Sequence, residues 1–168
     1  MMKRRAFLIG PLAFLAGAAS PPQTEPLVWF EGPSSVTIPL KRSIDGKLYL
    51  TVSVMGHDLI LFIDTGANTL IDLDVARRLG IPLVDTGLEG FGLTGLAGKR
   101  VSTHVDLRLG ALKITNLPID CLDLTQLRAV SRGNNMPEFD GLIGAELLSQ
   151  LQARIDFGRL TLTVKRPG

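Results

Sequence analysis

The chain contains few of the residues that build disulfides, metal sites or nucleic-acid-binding surfaces. Cys121 is the only cysteine, so no disulfide can form within the chain, and we expect a small buried apolar residue rather than a nucleophile. His57 and His104 are the only histidines and lack the spacing of metal ligands, so we predict no metal and no cofactor. Without the three basic residues at 3–5, 15 basic residues face 16 acidic ones, which leaves no basic surface for nucleic acid.

The N-terminal segment also lacks a run long enough to span a bilayer stably. Lys3-Arg4-Arg5 precedes an apolar run over 6–15, which Pro11 interrupts and small residues follow, the order of an export signal. The paired arginines resemble a twin-arginine (Tat) signal, but Lys3 stands where Ser or Thr is usual, so Sec export is equally open. A buried N-terminal helix is the alternative. We predict a periplasmic or secreted protein with a signal peptide at 1–19, a linker at 20–34 and a domain at 35–168.

The chain is rich in glycine (18) and proline (10), which favours short strands and turns over long helices. Asp72 is expected to cap a short helix over 73–79, and the polar stretch 128–137 is expected to be a surface loop. Residues 27–30 are apolar enough to form a first edge strand. Apolar patterns predict strands at 48–54, 59–63, 69–71, 101–109 and 112–117, and a closing hairpin at 154–164.

The stretch over 61–70 is the strongest candidate for a functional site. Three large apolar residues lead directly into Asp64, and a carboxylate at the end of a buried strand is costly to ionise unless neighbours hydrogen-bond to it. Thr65 adds a hydroxyl, and Gly66 allows the backbone to approach the carboxylate closely. Asp85-Thr86-Gly87 repeats the triplet, but no apolar strand follows it, so we interpret the repeat as a turn.

Two further stretches have unusual composition. Over 87–98, glycines alternate with large apolar residues, a pattern too rich in glycine for a core strand and too apolar for an idle surface loop. A plain loop with some buried side chains is the alternative. Leu142-Ile143-Gly144, whose glycine lies 80 residues beyond Asp64, leads into a predicted helix with leucines on one face.

Taken together, the Asp64-Thr65-Gly66-Ala67 motif and the distal Leu142-Ile143-Gly144 motif resemble the retropepsin-like aspartic proteases, and the bacterial exported members in particular. The resemblance covers 35–164 and implies an all-β fold, a single lobe built as a closed antiparallel β-barrel with one or two short helices. The Gly-rich stretch would form a flap hairpin. The implied catalytic residues are Asp64, Thr65 and Gly66. The implied substrate-binding residues are Ala67, Gly92, Leu93, Thr94, Gly95, Leu142, Ile143 and Gly144.

The resemblance also implies a partner, because the chemistry needs two acids and one lobe supplies one. The active form would be a homodimeric endopeptidase in which Asp64 from each copy activates a water molecule against an extended peptide or protein substrate. The alternative is a non-catalytic peptide-binding or assembly module on the same fold. A small exported β-barrel in which the triplet is a coincidence is the third hypothesis.

The sequence departs from the related enzymes at three positions. Retroviral members pair an acid four residues after the catalytic one with an arginine after the distal glycine, and those positions here hold Asn68 and Ala145. Both partners are absent together, so a dimer would be held in another way. Ala67 replaces the Ser or Thr of pepsin-like enzymes, which predicts a less acidic working range than that of pepsin.

Overall fold

The computed structural model describes residues 27–30, 34–92, 95–133 and 137–165. Strands dominate these ranges, and three short helices interrupt them. The strands are β1 (Leu27–Phe30), β2 (Ser35–Pro39), β3 (Lys41–Arg42), β4 (Leu48–Val54), β5 (His57–Asp64), β6 (Leu70–Asp72), β7 (Val84–Gly92), β8 (Gly95–Leu109), β9 (Leu112–Leu122), β10 (Gly141–Gly144), β11 (Arg154–Asp156) and β12 (Thr161–Lys165). The helices are α1 (Leu73–Arg78), α2 (Thr125–Gly133) and α3 (Ala145–Gln150).

Six of the strands close into a barrel. They are hydrogen-bonded in the order β9, β6, β10, β5, β4 and β8, and β8 pairs back with β9. The predicted all-β barrel is therefore confirmed, but two of its interfaces, β5–β10 and β6–β9, are parallel rather than antiparallel. Long intervening segments separate the strands of both parallel pairs, and parallel pairing requires such crossovers.

The main hydrophobic core fills this barrel, and strand alternation explains how. In β4, Leu48, Leu50, Val52 and Val54 are buried while the residues between them are partly or fully exposed, as predicted for a half-buried strand. The central strand β5 differs because it is covered on both faces. Leu59 and Leu61 face the barrel core, and Phe62 belongs to a second apolar cluster on the outer face.

A second, three-stranded sheet and one edge strand complete the β-structure. β12 lies between β11 and β2, which confirms the closing hairpin. Asp156 closes its turn, because its carboxylate accepts hydrogen bonds from the backbone N–H of Arg159 (2.8 Å) and of Gly158 (2.9 Å). The backbone and side-chain hydrogen bonds from Arg159, followed by the bond from Gly158, lower the pKa of Asp156. β1 pairs antiparallel with residues 112–115 of β9 as the expected edge strand.

The helices confirm one local prediction and correct another. Asp72 caps α1 as predicted, accepting hydrogen bonds from the backbone N–H groups of Asp74 (3.0 Å) and Val75 (3.1 Å). The surface loop predicted at 128–137 is wrong over its first half, where α2 continues to Gly133. The polar residues of that segment do not prevent a helix, because its apolar side rests on the outer cluster through Leu127.

The predicted signal peptide and the first part of the predicted linker lie outside the described residues. Within the part of the chain that the structure describes, none of the helices has the length and apolarity needed to cross a membrane.

Candidate active site

Asp64 stands at the end of the central strand, directly beside the distal glycine. β5 and β10 are parallel, with Ile63 opposite Ile143 and Asp64 opposite Gly144. β10 is also paired with β6 on its other side, where Leu142 lies opposite Leu70. The loop over 65–69 therefore leaves β5, passes the end of β10 and returns as β6. The two motifs that lie 80 residues apart in sequence meet at this point.

Gly144 is required here by space rather than by backbone conformation. A Cβ atom at this position would lie 2.3 Å from the carbonyl carbon of Asn68 and 2.4 Å from the carbonyl oxygen of Ala67. Backbone atoms cannot move aside as a flexible side chain can, so only glycine allows the loop to lie this close to β10. Gly141 meets the same constraint, because its Cβ would lie 2.3 Å from the carbonyl oxygen of Leu70.

The Asp64 carboxylate is held by its own loop and remains partly open to solvent. One carboxylate oxygen accepts a hydrogen bond from the backbone N–H of Gly66 at 2.9 Å, and the Ala67 N–H donates to the backbone carbonyl of Asp64 at 3.2 Å. Thr65 and Gly66 are exposed, and Asp64 and Ala67 are partly buried. The hydrogen bond from Gly66 fixes the position of the carboxylate, and its partial exposure leaves it accessible to a water molecule or a second chain.

Thr69 and Glu146, which the sequence analysis did not identify, hold this loop against β10 and α3. The Thr69 hydroxyl accepts a hydrogen bond from the Gly144 N–H (3.0 Å), and the Glu146 carboxylate accepts one from the Thr69 N–H (2.5 Å). The Ala145 N–H also donates to the Ala67 carbonyl at 2.9 Å. These contacts join the loop to β10 and to the first turn of α3. The only sequence feature that indicates such a contact is an acid, Glu146, two residues after Gly144. No local pattern predicts that its partner is Thr69.

The second Asp-Thr-Gly triplet shows that the triplet alone does not define the site. Asp85 makes the same local contact as Asp64, since its carboxylate accepts from the Gly87 N–H at 2.9 Å. The triplet is not an isolated turn as predicted, because it lies within β7, where the pairing register shifts between Asp85 and Leu88 and Gly87 has φ +67°. β10 does not pair with β7, so the distinctive environment of Asp64 is its neighbouring strand.

The Gly-rich stretch forms the expected hairpin. β7 and β8 are antiparallel, and Gly92 lies opposite Gly95 at the last described pair before the tip. Leu93 and Thr94 lie outside the described residues. At the base of the hairpin the Thr86 hydroxyl donates to the Arg100 carbonyl at 2.6 Å, so the bulge is held against β8.

Leu142 and Ile143 are buried on opposite faces of β10. Ile143 is 1% exposed in the barrel core, and Leu142 is 7% exposed in the outer cluster. Their visible contribution is to hold β10 beside Asp64, and direct contact with a substrate stays a prediction for both.

The other candidate groups lie away from this site. Cys121 is fully buried, and burial, followed by the charges of Asp120 and Asp72, raises the pKa of its thiol to about 11, which disfavours the nucleophilic thiolate. His57 on β5 and His104 on β8 are both exposed. Among the described residues, no three or more His, Cys, Asp or Glu side chains form a group that could hold a metal ion.

Comparison with known proteins agrees with this site. Residues 50–147, more than half of the chain, match the aspartyl protease family model, and the chain belongs to this family of proteins. No curated protein matches the chain. Membership of the family supports a protease function.

Solved structures show the same fold. A retropepsin-like aspartic protease from Rickettsia conorii is 19% identical with a TM-score of 0.51, covering 84% of this chain and 94% of that one. EIAV protease in complex with the inhibitor HBY-793 is 18% identical with a TM-score of 0.50, covering 67% of this chain and 95% of that one. At these identities the likeness establishes the retropepsin-like fold and nothing finer.

Proposed function

We propose that this protein is an aspartic endopeptidase that acts as a homodimer, with Asp64 of each copy at a shared active site. The observation that carries the proposal is the Asp64 carboxylate at the end of β5, beside Gly144 and hydrogen-bonded by Gly66. The described lobe brings one such acid to this position. A second copy related by a two-fold axis supplies the other, because an isologous contact brings the same residue from both chains together.

The proposed reaction is hydrolysis of a peptide bond by water. Two carboxylates held close together cannot both ionise readily, so they share one proton and titrate as a pair. The ionised carboxylate removes a proton from the water, whose oxygen attacks the carbonyl carbon, and the protonated carboxyl donates to the carbonyl oxygen. The C–N bond then breaks and the amine leaves with a proton from the pair.

The neighbouring residues have supporting roles in this proposal. Gly66 leaves space for the water and the substrate backbone, since even a Cβ there would lie 3.3 Å from the Asp64 carboxylate. Exposed Thr65 braces the two loops across the axis. The peptide lies extended between Ala67 and the hairpin of β7 and β8, bound by main-chain hydrogen bonds as in strand addition.

The loop of Asp64 is supported within its own lobe although positions 68 and 145 lack the acid and arginine of retroviral members. Here Glu146 holds the Thr69 N–H and Thr69 holds the Gly144 N–H, so the loop is fixed within its own lobe. We further propose that the enzyme is exported to the periplasm or secreted, and that it works in a less acidic range than pepsin because Ala67 adds no hydroxyl near the carboxylate.

The test compares Asp64→Asn with Asp85→Asn in a peptide-cleavage screen. Both variants change the acid of an Asp-Thr-Gly triplet and alter the same local bond to a glycine N–H. We expect Asp64→Asn to abolish cleavage and Asp85→Asn to retain it. Equal cleavage by wild type and Asp64→Asn would refute the proposal, and so would wild-type protein that binds peptides without cleaving any.

A further inference from the structure

The face of the sheet that carries Asp64 continues into the outer apolar cluster. Side chains alternate along β5, so Ile63 points towards the barrel core while Phe62 and Asp64 share the opposite face. Two residues along a strand span about 7 Å, so Phe62 is the immediate neighbour of the carboxylate on this face. Leu142 and Gly144 share a face of β10 in the same way.

The outer cluster has a packed centre and a partly exposed rim. Phe62 packs against Phe139 in a tilted arrangement, with ring centroids 4.6 Å apart, and Tyr49 meets Phe62 edge to face at 5.8 Å. The rim residues Tyr49, Ile60, Ala67 and Leu127 are only partly buried. Ala67 belongs to the loop of Asp64 and Leu127 belongs to α2, so one apolar surface connects the candidate catalytic loop with this helix.

Helix α2 is held in place over the cluster by charge as well as by apolar contact. Arg128 lies 3.5 Å from the buried Asp72 carboxylate and 3.5 Å from Glu138. Asp72 in turn accepts a hydrogen bond from the Leu124 N–H at 3.2 Å, just before the helix begins. The position of Leu127 is therefore fixed between two anchored neighbours, Leu124 and Arg128.

We propose that α2 forms one wall of the subsite that receives a substrate side chain next to the scissile bond, and that Leu127 determines which apolar side chains fit. The inference rests on the proposed endopeptidase function. An extended substrate that reaches Asp64 directs alternate side chains to the Asp64 face, where Phe62, Ala67 and the cluster rim meet them. The surface offers apolar contact, so it selects apolar side chains by size.

The experiment measures kcat/KM for a series of peptides that carry Ala, Leu, Phe or Trp beside the scissile bond. Leu127→Ala enlarges the subsite and is expected to raise the ratio of Trp-peptide to Leu-peptide kcat/KM by about tenfold or more, the usual effect of changed fit in an apolar pocket. Leu127→Phe is expected to shift the ratio in the opposite direction, towards small side chains. Leu127→Met conserves volume and should leave the ratio close to that of wild type.

Val130→Ala is the matched control, because Val130 lies on the same helix and is 60% exposed. It should leave the ratio unchanged. A ratio that matches wild type in Leu127→Phe, with cleavage retained, would overturn the inference while leaving the endopeptidase intact. A wild-type protein that cleaves no peptide in the series and in the wider screen would overturn both.

Discussion

At the scale of single residues, the position of the Asp64 loop depends on the absence of a side chain at Gly144. The loop over 65–69 can lie against β10 because Gly144 has no Cβ, and the hydrogen bonds from Gly144 to Thr69 and from Ala145 to Ala67 form only at that separation. Sequence analysis could identify Asp64 and Gly144 because both belong to a motif. It could not identify Thr69 and Glu146, because their contact joins residues 77 positions apart and leaves no local signal.

Gly144→Ala is expected to destabilise the protein, because the new methyl group would meet backbone atoms of Asn68 and Ala67 at 2.3–2.4 Å. The expected loss in unfolding free energy is about 1–3 kcal/mol or more, measured by denaturant titration at one protein concentration. Gly133→Ala is the control, since a Cβ at Gly133 meets nothing within 4 Å. Equal stability of the two variants would contradict the close approach.

The buried thiol of Cys121 is predicted to react slowly with alkylating reagents in the folded protein. Its thiol has a pKa of about 11 because burial disfavours the thiolate, so deprotonation in the folded protein requires a higher pH than in the unfolded chain, where an exposed thiol has its ordinary pKa of about 8.5. At pH 8 the folded protein therefore holds more than about 100-fold less thiolate than the unfolded chain. We expect iodoacetamide to label urea-unfolded protein readily and native protein hardly at all. Native labelling as fast as in urea would show that Cys121 is accessible.

At the scale of elements, predictability depends on where the stabilising partners lie. α1 could be predicted because its cap, Asp72, precedes it directly in the chain. α2 could not, because the contacts that stabilise it are tertiary: Leu127 rests on the outer cluster, and Arg128 pairs with Asp72 more than 50 residues earlier. The segment is amphipathic at helical spacing but polar on average, and the polar composition of 128–137 therefore indicated a loop.

Arg128→Met should destabilise the protein by leaving the Asp72 carboxylate, which is 2% exposed, without its cationic neighbour. Three backbone N–H groups still donate to Asp72, so we expect a loss of about 1–3 kcal/mol in unfolding free energy, at or below the usual range for breaking a buried pair. Arg132→Met is the control, because Arg132 and Glu138 are both about 60% exposed. That change should cost less than about 0.5 kcal/mol by denaturant titration. Equal losses would refute a specific role for Arg128.

At the scale of the whole molecule, the barrel brings distant segments to one end of the sheet. Its two parallel interfaces place β10 between β5 and β6 and β6 beside β9, which an unbroken series of hairpins would not achieve. The closed barrel could be anticipated from the family resemblance, but the parallel pairings could not, because alternation within a strand does not specify its neighbour. The result places the partly exposed Asp64 at the end of β5, beside β10.

The last prediction concerns the number of chains in the active unit. Wild-type protein is mixed with a ninefold excess of Asp64→Asn, unfolded and refolded together so that chains exchange. If activity requires Asp64 from both copies, most wild-type chains pair with an inactive partner, and activity per wild-type chain falls to about one tenth. A ninefold excess of Asp85→Asn treated in the same way should cause no such loss. Activity proportional to the amount of wild-type chain in the Asp64→Asn mixture would show that a single lobe is sufficient, and the homodimeric mechanism would then be wrong.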